Sequence, residues 1–160
     1  MRKIFFGVLA ALTFVGCDKE YDAPAGTRAA FAAAYPTAVD VEWEREHGYA
    51  VAEFEIPGVS NDCEAWYTLD GVWVLTSYEI AYSALPQAVR TAFEAEYGKL
   101  APIDDVRRIE RNAEPTIYFI ETTVVVNGML TDIYIDYLED GTVLRTSVEV
   151  EDFEPIYYYL

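Results

Sequence analysis

The segment Ala92-Phe93-Glu94-Ala95-Glu96-Tyr97 repeats a pattern that occurs earlier in the chain as Ala30-Phe31-Ala32-Ala33-Ala34-Tyr35. Each copy is followed by an Asp-Val pair and then, after several alternating segments, by an Asp-Gly pair. These are Asp40-Val41 and Asp70-Gly71 in the first copy, and Asp105-Val106 and Asp140-Gly141 in the second. A repeat of this length indicates two supersecondary units that stack to bury a common core. The order of helix and strands inside each unit therefore decides the fold.

The first unit begins with a short helix. Phe31 and Tyr35 are spaced i, i+4 in an alanine-rich run that Pro36 ends, which predicts a helix over residues 26–35. One apolar stripe on such a helix requires a sheet to cover it.

The second helix has clear signals at both ends. Pro86 stands at a favourable first-turn position, and Gly98 lies where a C-terminal cap belongs. Between them Val89, Phe93 and Tyr97 recur at i, i+4 and form one apolar stripe. This helix also needs a sheet beneath it.

Alternating apolar and polar residues predict four strands after each helix. The first four span residues 39–46, 49–56, 62–69 and 72–78, and the second four span 104–111, 116–126, 129–138 and 142–150. The sequence therefore predicts an α+β fold built as a tandem duplication of a helix plus four antiparallel strands.

The turns between strands determine which side chains share a face of the sheet. Asp70-Gly71 and Asp140-Gly141 predict two-residue type I′ turns, and so does Asn127-Gly128. With that geometry, Tyr67 lies opposite Val74. The residues then predicted to face the helices are Cys63, Ala65, Tyr67, Leu69, Val72, Val74, Tyr118, Ile120, Thr122, Val124, Ile133, Ile135, Tyr137, Leu144, Thr146 and Val148.

The opposite face carries aromatic and acidic side chains together. Its predicted members are Glu53, Glu55, Trp66, Thr68, Trp73, Leu75, Phe119, Glu121, Asp132, Tyr134, Asp136, Leu138, Val143 and Arg145. Large aromatic side chains on a face left to water are typical of an interaction surface. We therefore predict a protein-binding surface of Trp66, Trp73, Leu75, Glu53, Phe119, Tyr134, Asp136 and Arg145. The alternative is that the aromatic residues pair across strands or pack beneath the segment 153–160.

The N-terminus predicts export. Arg2 and Lys3 precede an unbroken apolar stretch over residues 4–15, which is too short to span a bilayer and is typical of a signal peptide. Gly16 directly precedes Cys17, so we predict a lipoprotein signal and a lipid on Cys17. A plain signal peptide with an incidental cysteine is the alternative.

The predicted domain organisation follows from that cleavage. Residues 1–16 form the signal peptide, and residues 17–26 form a flexible tether that is polar and interrupted by Pro and Gly. The folded domain covers residues 27–150, with repeats at 27–80 and 85–150, and residues 151–160 form a C-terminal segment. The expected location is the envelope of a Gram-negative bacterium, on the periplasmic side or the outer surface.

The chain is strongly acidic. It has 28 Asp and Glu against 11 Lys and Arg, a formal net charge of −17, and loss of Arg2 and Lys3 with the signal peptide leaves −19. Most roles in nucleic-acid binding are excluded, because neutralising phosphates requires clustered Lys and Arg. Adsorption to anionic lipid is also disfavoured, so membrane attachment depends on the lipid at Cys17.

The residues offer no support for catalysis. His47, the sole histidine, lies in a predicted hairpin turn, and Cys63 lies in a predicted strand without a basic neighbour in sequence. A Ser, Thr or Cys nucleophile needs a base beside it, and transition-metal sites need ligands that this chain lacks. We expect no enzyme activity and no cofactor, and we expect Cys63 to be buried as a small apolar residue.

Calcium binding is the competing interpretation of the acidic residues. Hard cations prefer several oxygen ligands, and Glu121, Asp132 and Asp136 could supply them from adjacent strands. Their spacing does not make an EF-hand loop, and a solvated acidic face explains them equally.

The twofold pattern of an alanine-rich helix ending in Tyr, four strands with an Asp-Gly turn, and the linker Ala84-Leu85-Pro86-Gln87-Ala88-Val89 resembles the PepSY-like, beta-lactamase-inhibitor-like (BLIP-like) family of secreted bacterial proteins. The resemblance runs from about Ala25 to Val150 and rests on apolar spacing and turns. It implies an eight-stranded antiparallel sheet with helices on one face and a concave binding face on the other. The chain departs from the inhibitor in lacking a cysteine pair for its disulfides.

The resemblance also implies a partner. The inhibitor that names the family grips a protein enzyme, PepSY domains are linked to the restraint of peptidases, and some members are called calcium-regulated. Together with the residues, this predicts a lipid-anchored envelope module that recognises a protein or peptide, such as a peptidase or another secreted enzyme, without catalysis. A calcium-responsive periplasmic structural protein is the alternative.

Overall fold

Eight strands form a single antiparallel sheet in a computed structural model that describes residues 21–148 and 159–160. The helices are α1 (Ala25–Ala34) and α2 (Gln87–Tyr97), and a short 3-10 turn spans Tyr82–Ala84. The strands are β1 (Val39–Glu46), β2 (Tyr49–Ile56), β3 (Ser60–Tyr67), β4 (Trp73–Glu79), β5 (Asp105–Arg111), β6 (Glu114–Val126), β7 (Met129–Tyr137) and β8 (Val143–Val148). Each strand pairs with the next one in the chain, so the sheet is a meander from β1 to β8. The predicted signal peptide and Cys17 lie outside the described residues.

Both helices pack on the same face of the sheet. Phe31 of α1 lies in one cluster of buried side chains with Phe54 and Tyr67, and Phe93 of α2 lies in a second cluster with Ile135. Tyr67 and Ile135 are 1% and 0% exposed, so these central side chains are covered as predicted. Val72, Leu144 and Val148 were predicted to be covered as well, but they are 55%, 49% and 54% exposed, because they lie at the hairpin ends and on the last strand. The predicted α+β class, the eight-stranded antiparallel sheet and the placement of the helices on one face are confirmed.

The helix ends follow the sequence signals closely. The backbone N–H of Gly98 donates to the carbonyl of Glu94, and Gly98 has a φ of 87°, a positive value that glycine adopts without steric cost. Helix α1 begins at Ala25, and Ala23 is buried. The last residues of the predicted tether therefore belong to the folded domain.

The two Asp-Gly turns differ from the predicted two-residue turns. The N–H of Gly71 donates to the carbonyl of Thr68, the N–H of Thr68 donates to the carbonyl of Val72, and in the pair Asp70-Gly71 only Gly71 has a positive φ. This is a three-residue loop in which a type I turn is followed by a left-handed glycine. An Asp-Gly pair satisfies either turn, because both need glycine at the second position.

The longer loop shifts the register near the turn by one residue. Tyr67 lies opposite Trp73 rather than Val74, and Val74 is bulged, so the predicted pairing returns with Trp66 opposite Leu75. Trp73 therefore lies on the helix-covered face, which corrects its predicted position, and Val74 packs on the opposite side.

The second Asp-Gly hairpin has the same construction. Tyr137 lies opposite Val143, Leu144 is skipped, and the predicted pairing returns with Asp136 opposite Arg145. Val143 therefore lies on the helix-covered side of the sheet, where Leu144 was predicted to lie. By contrast, Asn127-Gly128 is the predicted two-residue turn, since both residues have positive φ and Val126 pairs with Met129. The two Asp-Gly hairpins share one geometry, while the tandem duplication itself stays a prediction.

Each Asp-Gly turn packs against the first turn of a helix. A Cβ on Gly71 would lie 3.4 Å from the backbone of Gly26 in α1, and a Cβ on Gly141 would lie 2.7 Å from the carbonyl oxygen of Ala88 in α2. Glycine is needed at Gly141 for two reasons, its positive φ and this close approach. The turn therefore fixes where α2 starts on the sheet.

We expect Gly141→Ala to destabilise the fold more than Gly128→Ala. Both glycines have positive φ, which costs alanine roughly 1–2 kcal/mol. Only Gly141 adds a steric conflict with Ala88, and overpacking of this kind costs roughly 1–3 kcal/mol more. Urea unfolding of the two variants measures the difference, and equal losses would contradict the close contact between the turn and α2.

Candidate functional site

The open face is the face of the sheet opposite the helices. Its centre is a layer of buried side chains, which we call the open-face cluster: Val51, Trp66, Leu75, Ile109, Ile117 and Phe119. Tyr49, Val74, Tyr134 and Tyr159 pack against this cluster. The open face is therefore a second packed layer rather than a bare sheet surface.

The predicted binding residues Trp66, Leu75 and Phe119 lie on the open face but are buried, at 1%, 0% and 4% exposure. The expectation that these large side chains stand in water is wrong. The two aromatic ones make the cross-strand ring contacts that the alternative expects, because the ring centroids of Tyr49 and Trp66 are 6.2 Å apart and those of Phe119 and Tyr134 are 5.5 Å apart. Residues 153–158, which the same alternative placed over them, lie outside the described residues.

Trp73 is not part of the open face. Its indole N–H donates to Oγ1 of Thr76 at 2.8 Å, and its ring packs with the residues beneath α1. The bulge at Val74 is the cause of this reversal. A binding role for Trp73 on the open face is therefore corrected by the structure.

One end of the open face is acidic. Glu53, which was predicted to bind a partner, is exposed on β2, and it lies in a groove whose lining includes Asp40, Glu42, Glu55, Asp62 and Glu64. Partial burial, followed by the neighbouring carboxylates of Glu44 and Glu42, raises the pKa of Glu53. The strand pairing of β1 with β2 and of β2 with β3 forces these like charges together.

Arg107 on β5 forms ion pairs with two carboxylates of the acidic groove, Asp62 and Glu64, and with Asp105. Its Nη2 lies 3.1 Å from Asp62, its Nε lies 2.7 Å from Asp105, and its Nη1 lies 3.6 Å from Glu64. Burial raises the pKa of Glu64, and Arg107 opposes that rise. Arg107 therefore offsets part of the negative charge of the groove, at Asp62 and Glu64.

The other end of the open face holds an ion pair and a phenol. Asp136 on β7 is 3% exposed and pairs with Arg145 on β8. The hydroxyl of Tyr159 donates to Oδ1 of Asp136 at 2.5 Å. Tyr134, also predicted to bind a partner, is half-buried beside this group. Of the predicted binding residues, Glu53, Tyr134 and Arg145 thus lie on the open face with part of their surface accessible.

The calcium candidates do not converge. Asp132 and Asp136 lie on one face of β7 but four residues apart, which in a strand is about 13 Å. Asp132 accepts from Thr123 at 2.7 Å, and Asp136 is occupied by Arg145 and Tyr159. Within residues 21–148 and 159–160, no group of three or more His, Cys, Asp or Glu could hold a metal ion. Calcium binding stays a prediction without a supporting geometry in this part of the chain.

The two residues with potential reactivity are placed as expected. Cys63 is 1% exposed beneath α1, and burial raises the pKa of its thiol. His47 is exposed in the turn between β1 and β2 with a φ of 47°. A buried thiol with a raised pKa is a poor nucleophile, so Cys63 acts as a packing residue.

An apolar patch at the β6–β7 turn was not predicted from the sequence. Val125 and Leu130 pair with each other on the open-face side and are 69% and 78% exposed, and Met129 beside them is 68% exposed. The signal was present in the sequence, because apolar residues occupy both parities around Asn127-Gly128. Exposed neighbouring apolar side chains of this kind mark interaction sites.

A family model described as "Putative beta-lactamase-inhibitor-like, PepSY-like" matches residues 57–145. This match covers more than half of the chain. The protein belongs to the PepSY-like family. The predicted family is therefore confirmed.

Three solved structures with the same fold come from species of Bacteroides. The chain has 26% sequence identity and a TM-score of 0.74 to a DUF2874 family protein from Bacteroides uniformis, covering 84% of this chain and 96% of that one. To a BLIP-like protein from Bacteroides fragilis the identity is 26% and the TM-score 0.70, covering 84% and 94%. To a protein from Bacteroides eggerthii described as "putative periplasmic" the values are 27% and 0.71, covering 80% and 90%. The comparison with curated proteins finds no match.

We expect Glu53→Gln to stabilise the PepSY-like domain at pH 7.5 by about 0.2–1 kcal/mol, the range for solvent-screened charge interactions. The pKa of Glu53 is higher in the folded state than the unfolded value of 4.5. The stability that the protonated side chain provides is therefore fully present below pH 4.5, and it is lost as pH rises through the folded pKa and the side chain ionises. The advantage of the variant should therefore disappear as pH falls towards 4.5. Thermal melts across this range test the sign, with Glu96→Gln on the exposed side of α2 as control. An equal gain from both substitutions would contradict a specific effect of the acidic groove.

Proposed function

We propose that the open face binds a protein partner in the cell envelope, such as a peptidase or another secreted enzyme. The protein restrains this partner and catalyses no reaction itself. Membership of the PepSY-like family and similarity to a BLIP-like structure support a protein-binding, inhibitor-like role. The observation that carries the proposal is the exposed apolar pair Val125 and Leu130, which extends the open face beyond its buried cluster.

The proposed binding surface combines a buried centre with three accessible regions. The buried Trp66, Leu75 and Phe119 form the rigid centre, and the partly accessible Tyr134 and Arg145 lie at one end of the open face. Val125 and Leu130 provide an apolar anchor, and the acidic groove around Glu53 provides charge at the far end. A partner that fits would present an apolar patch next to basic residues, because charge complementarity steers association and apolar anchors give affinity.

The proposed location is the envelope, with the chain attached through a lipid on Cys17. Similarity to a protein described as periplasmic and membership of a family of secreted proteins support export. In the portion of the chain that the structure describes, no helix is long and apolar enough to cross a membrane. A single lipid-modified N-terminus followed by a short polar segment would hold the domain near the bilayer while leaving the open face accessible.

We also infer that the two units arose as a tandem duplication. The support is the shared construction of the two Asp-Gly hairpins, each with the same loop, the same skipped residue and the same contact with the first turn of a helix. Only the second unit carries the exposed apolar turn, so the binding function would be unequally divided between them.

Substitutions on the open face should reduce partner capture from an envelope extract. We expect Leu130→Asp and Glu53→Lys each to lower capture by about tenfold, which corresponds to roughly 1.4 kcal/mol. Matched controls are Leu100→Asp, at a residue that is 97% exposed after α2, and Glu96→Lys on α2. Quantitative cross-linking mass spectrometry measures the captured partner. If the controls lose as much capture as the test variants, the open face is not the binding surface. Trp66→Ala is avoided because a buried tryptophan supports the fold.

The lipid anchor has its own test. We expect Cys17→Ser to move the protein from the membrane fraction to the soluble fraction and to abolish labelling by a fatty-acid analogue. Cys63→Ala is the control, because Cys63 is buried in the folded domain and should leave both readouts unchanged. Retention of the Cys17→Ser variant in the membrane fraction would remove the proposed anchor.

A further inference from the structure

Tyr159 is held on the open face by side chains of several strands. Its ring packs against the open-face cluster, and its hydroxyl donates to Oδ1 of Asp136. Tyr159 takes no part in the strand pairing of the described residues. Tyr159 is therefore held on the open face by side-chain contacts and not by strand pairing.

The surroundings of Tyr159 are suited to a phenol in particular. The guanidinium carbon of Arg145 lies 5.1 Å from its ring centroid, and that of Arg111 lies 5.6 Å from it. Both distances are within the range of cation–π attraction. The two arginines belong to β8 and β5, so they approach the ring from strands that are not neighbours.

Asp136 adds chemical selectivity. Its carboxylate is 3% exposed and accepts from Arg145 through one oxygen and from Tyr159 through the other. A buried carboxylate oxygen needs a donor, and an aromatic side chain without a hydroxyl cannot provide one. Phenylalanine would fill the space but leave this acceptor unpaired.

Burial, reinforced by the charge of Asp136, raises the pKa of the Tyr159 phenol. The hydroxyl is therefore protonated at neutral pH and acts as a donor to the carboxylate. This agrees with the geometry, in which the phenol oxygen points at Oδ1.

We propose that Asp136, Arg145 and Arg111 form a recognition site for a tyrosine side chain, which Tyr159 fills in the free protein and a tyrosine of the partner fills in the complex. The inference rests on the proposed function, and it specifies one anchor of the partner. It also makes Tyr159 an internal competitor, because the two tyrosines cannot occupy the same site. Removal of Tyr159 should strengthen partner binding.

The direct test needs no partner. The probe is N-acetyl-tyrosinamide, and N-acetyl-phenylalaninamide is the matched control that lacks only the hydroxyl. Binding to the full chain carrying Tyr159→Ala is followed by NMR titration of the amides of Asp136, Arg145 and Arg111. We expect the tyrosine probe to bind about tenfold more tightly than the phenylalanine probe, and wild type to bind it at least about tenfold more weakly than the variant.

Two further variants test the selectivity. Adding Asp136→Asn to Tyr159→Ala should remove most of the preference for the hydroxyl, since a neutral amide is a weaker acceptor. Tyr159→Phe, which keeps the ring in place, should admit the tyrosine probe better than wild type does. Equal binding of the two probes, or no binding by folded Tyr159→Ala protein, would overturn the proposal.

The origin of the docked tyrosine is tested by light scattering at micromolar concentration. A monomeric wild type supports filling of the site from the same chain, whereas a dimer that Tyr159→Ala dissociates would show that a second copy supplies the tyrosine. Failure of the probe experiment while Leu130→Asp still abolishes capture would reject the tyrosine site and leave the proposed function standing. Capture that is insensitive to Leu130→Asp and Glu53→Lys would reject the function itself.

Discussion

The whole molecule depends on one constraint, the alternation of side chains across a continuous antiparallel sheet. Because successive residues point to opposite faces, a strand that places Tyr67 or Ile135 under a helix must place its neighbours on the open face. Two short helices, anchored by Phe31 and Phe93, cover one parity. Neither helix would be stable alone at this length, so helix and sheet stabilise each other.

The Asp-Gly hairpins show how this alternation survives an irregular turn. A three-residue loop shifts the pairing by one, which would move every following side chain to the wrong face. One residue after this shifted pair, Val74 in the first hairpin and Leu144 in the second are bulged and have no partner in the register. The bulge restores the original register. The result is that only residues next to the turn, such as Trp73 and Val143, exchange faces. The glycines of these hairpin loops lie against the first residues of the two helices and set the position of each helix on the sheet.

The open face combines two properties that a sheet surface seldom has together. Its centre is packed as tightly as a core, with Trp66 and Phe119 almost fully buried. Its borders are accessible and chemically different from each other, with carboxylates around Glu53 at one end and the apolar Leu130 near the other. A rigid centre holds these borders in fixed positions, which lowers the entropic cost of binding a partner. A rigid centre with accessible borders is the physical basis of the proposed binding surface.

Local patterns in the sequence predict the helices, the strands and most of the side chains on each face of the sheet. Pro86, the apolar stripe and Gly98 predict helix α2 correctly, because helix end signals and periodicity are local properties of the sequence. The turn type of the Asp-Gly hairpins and the contacts between distant residues do not follow from local patterns and depend on how the whole sheet packs. An Asp-Gly pair fits two turn types, so the position of Trp73 depended on how the hairpin packs against α1. The burial of Trp66 and the docking of Tyr159 on Asp136 join residues far apart in the chain, and such contacts exist only once the sheet has assembled.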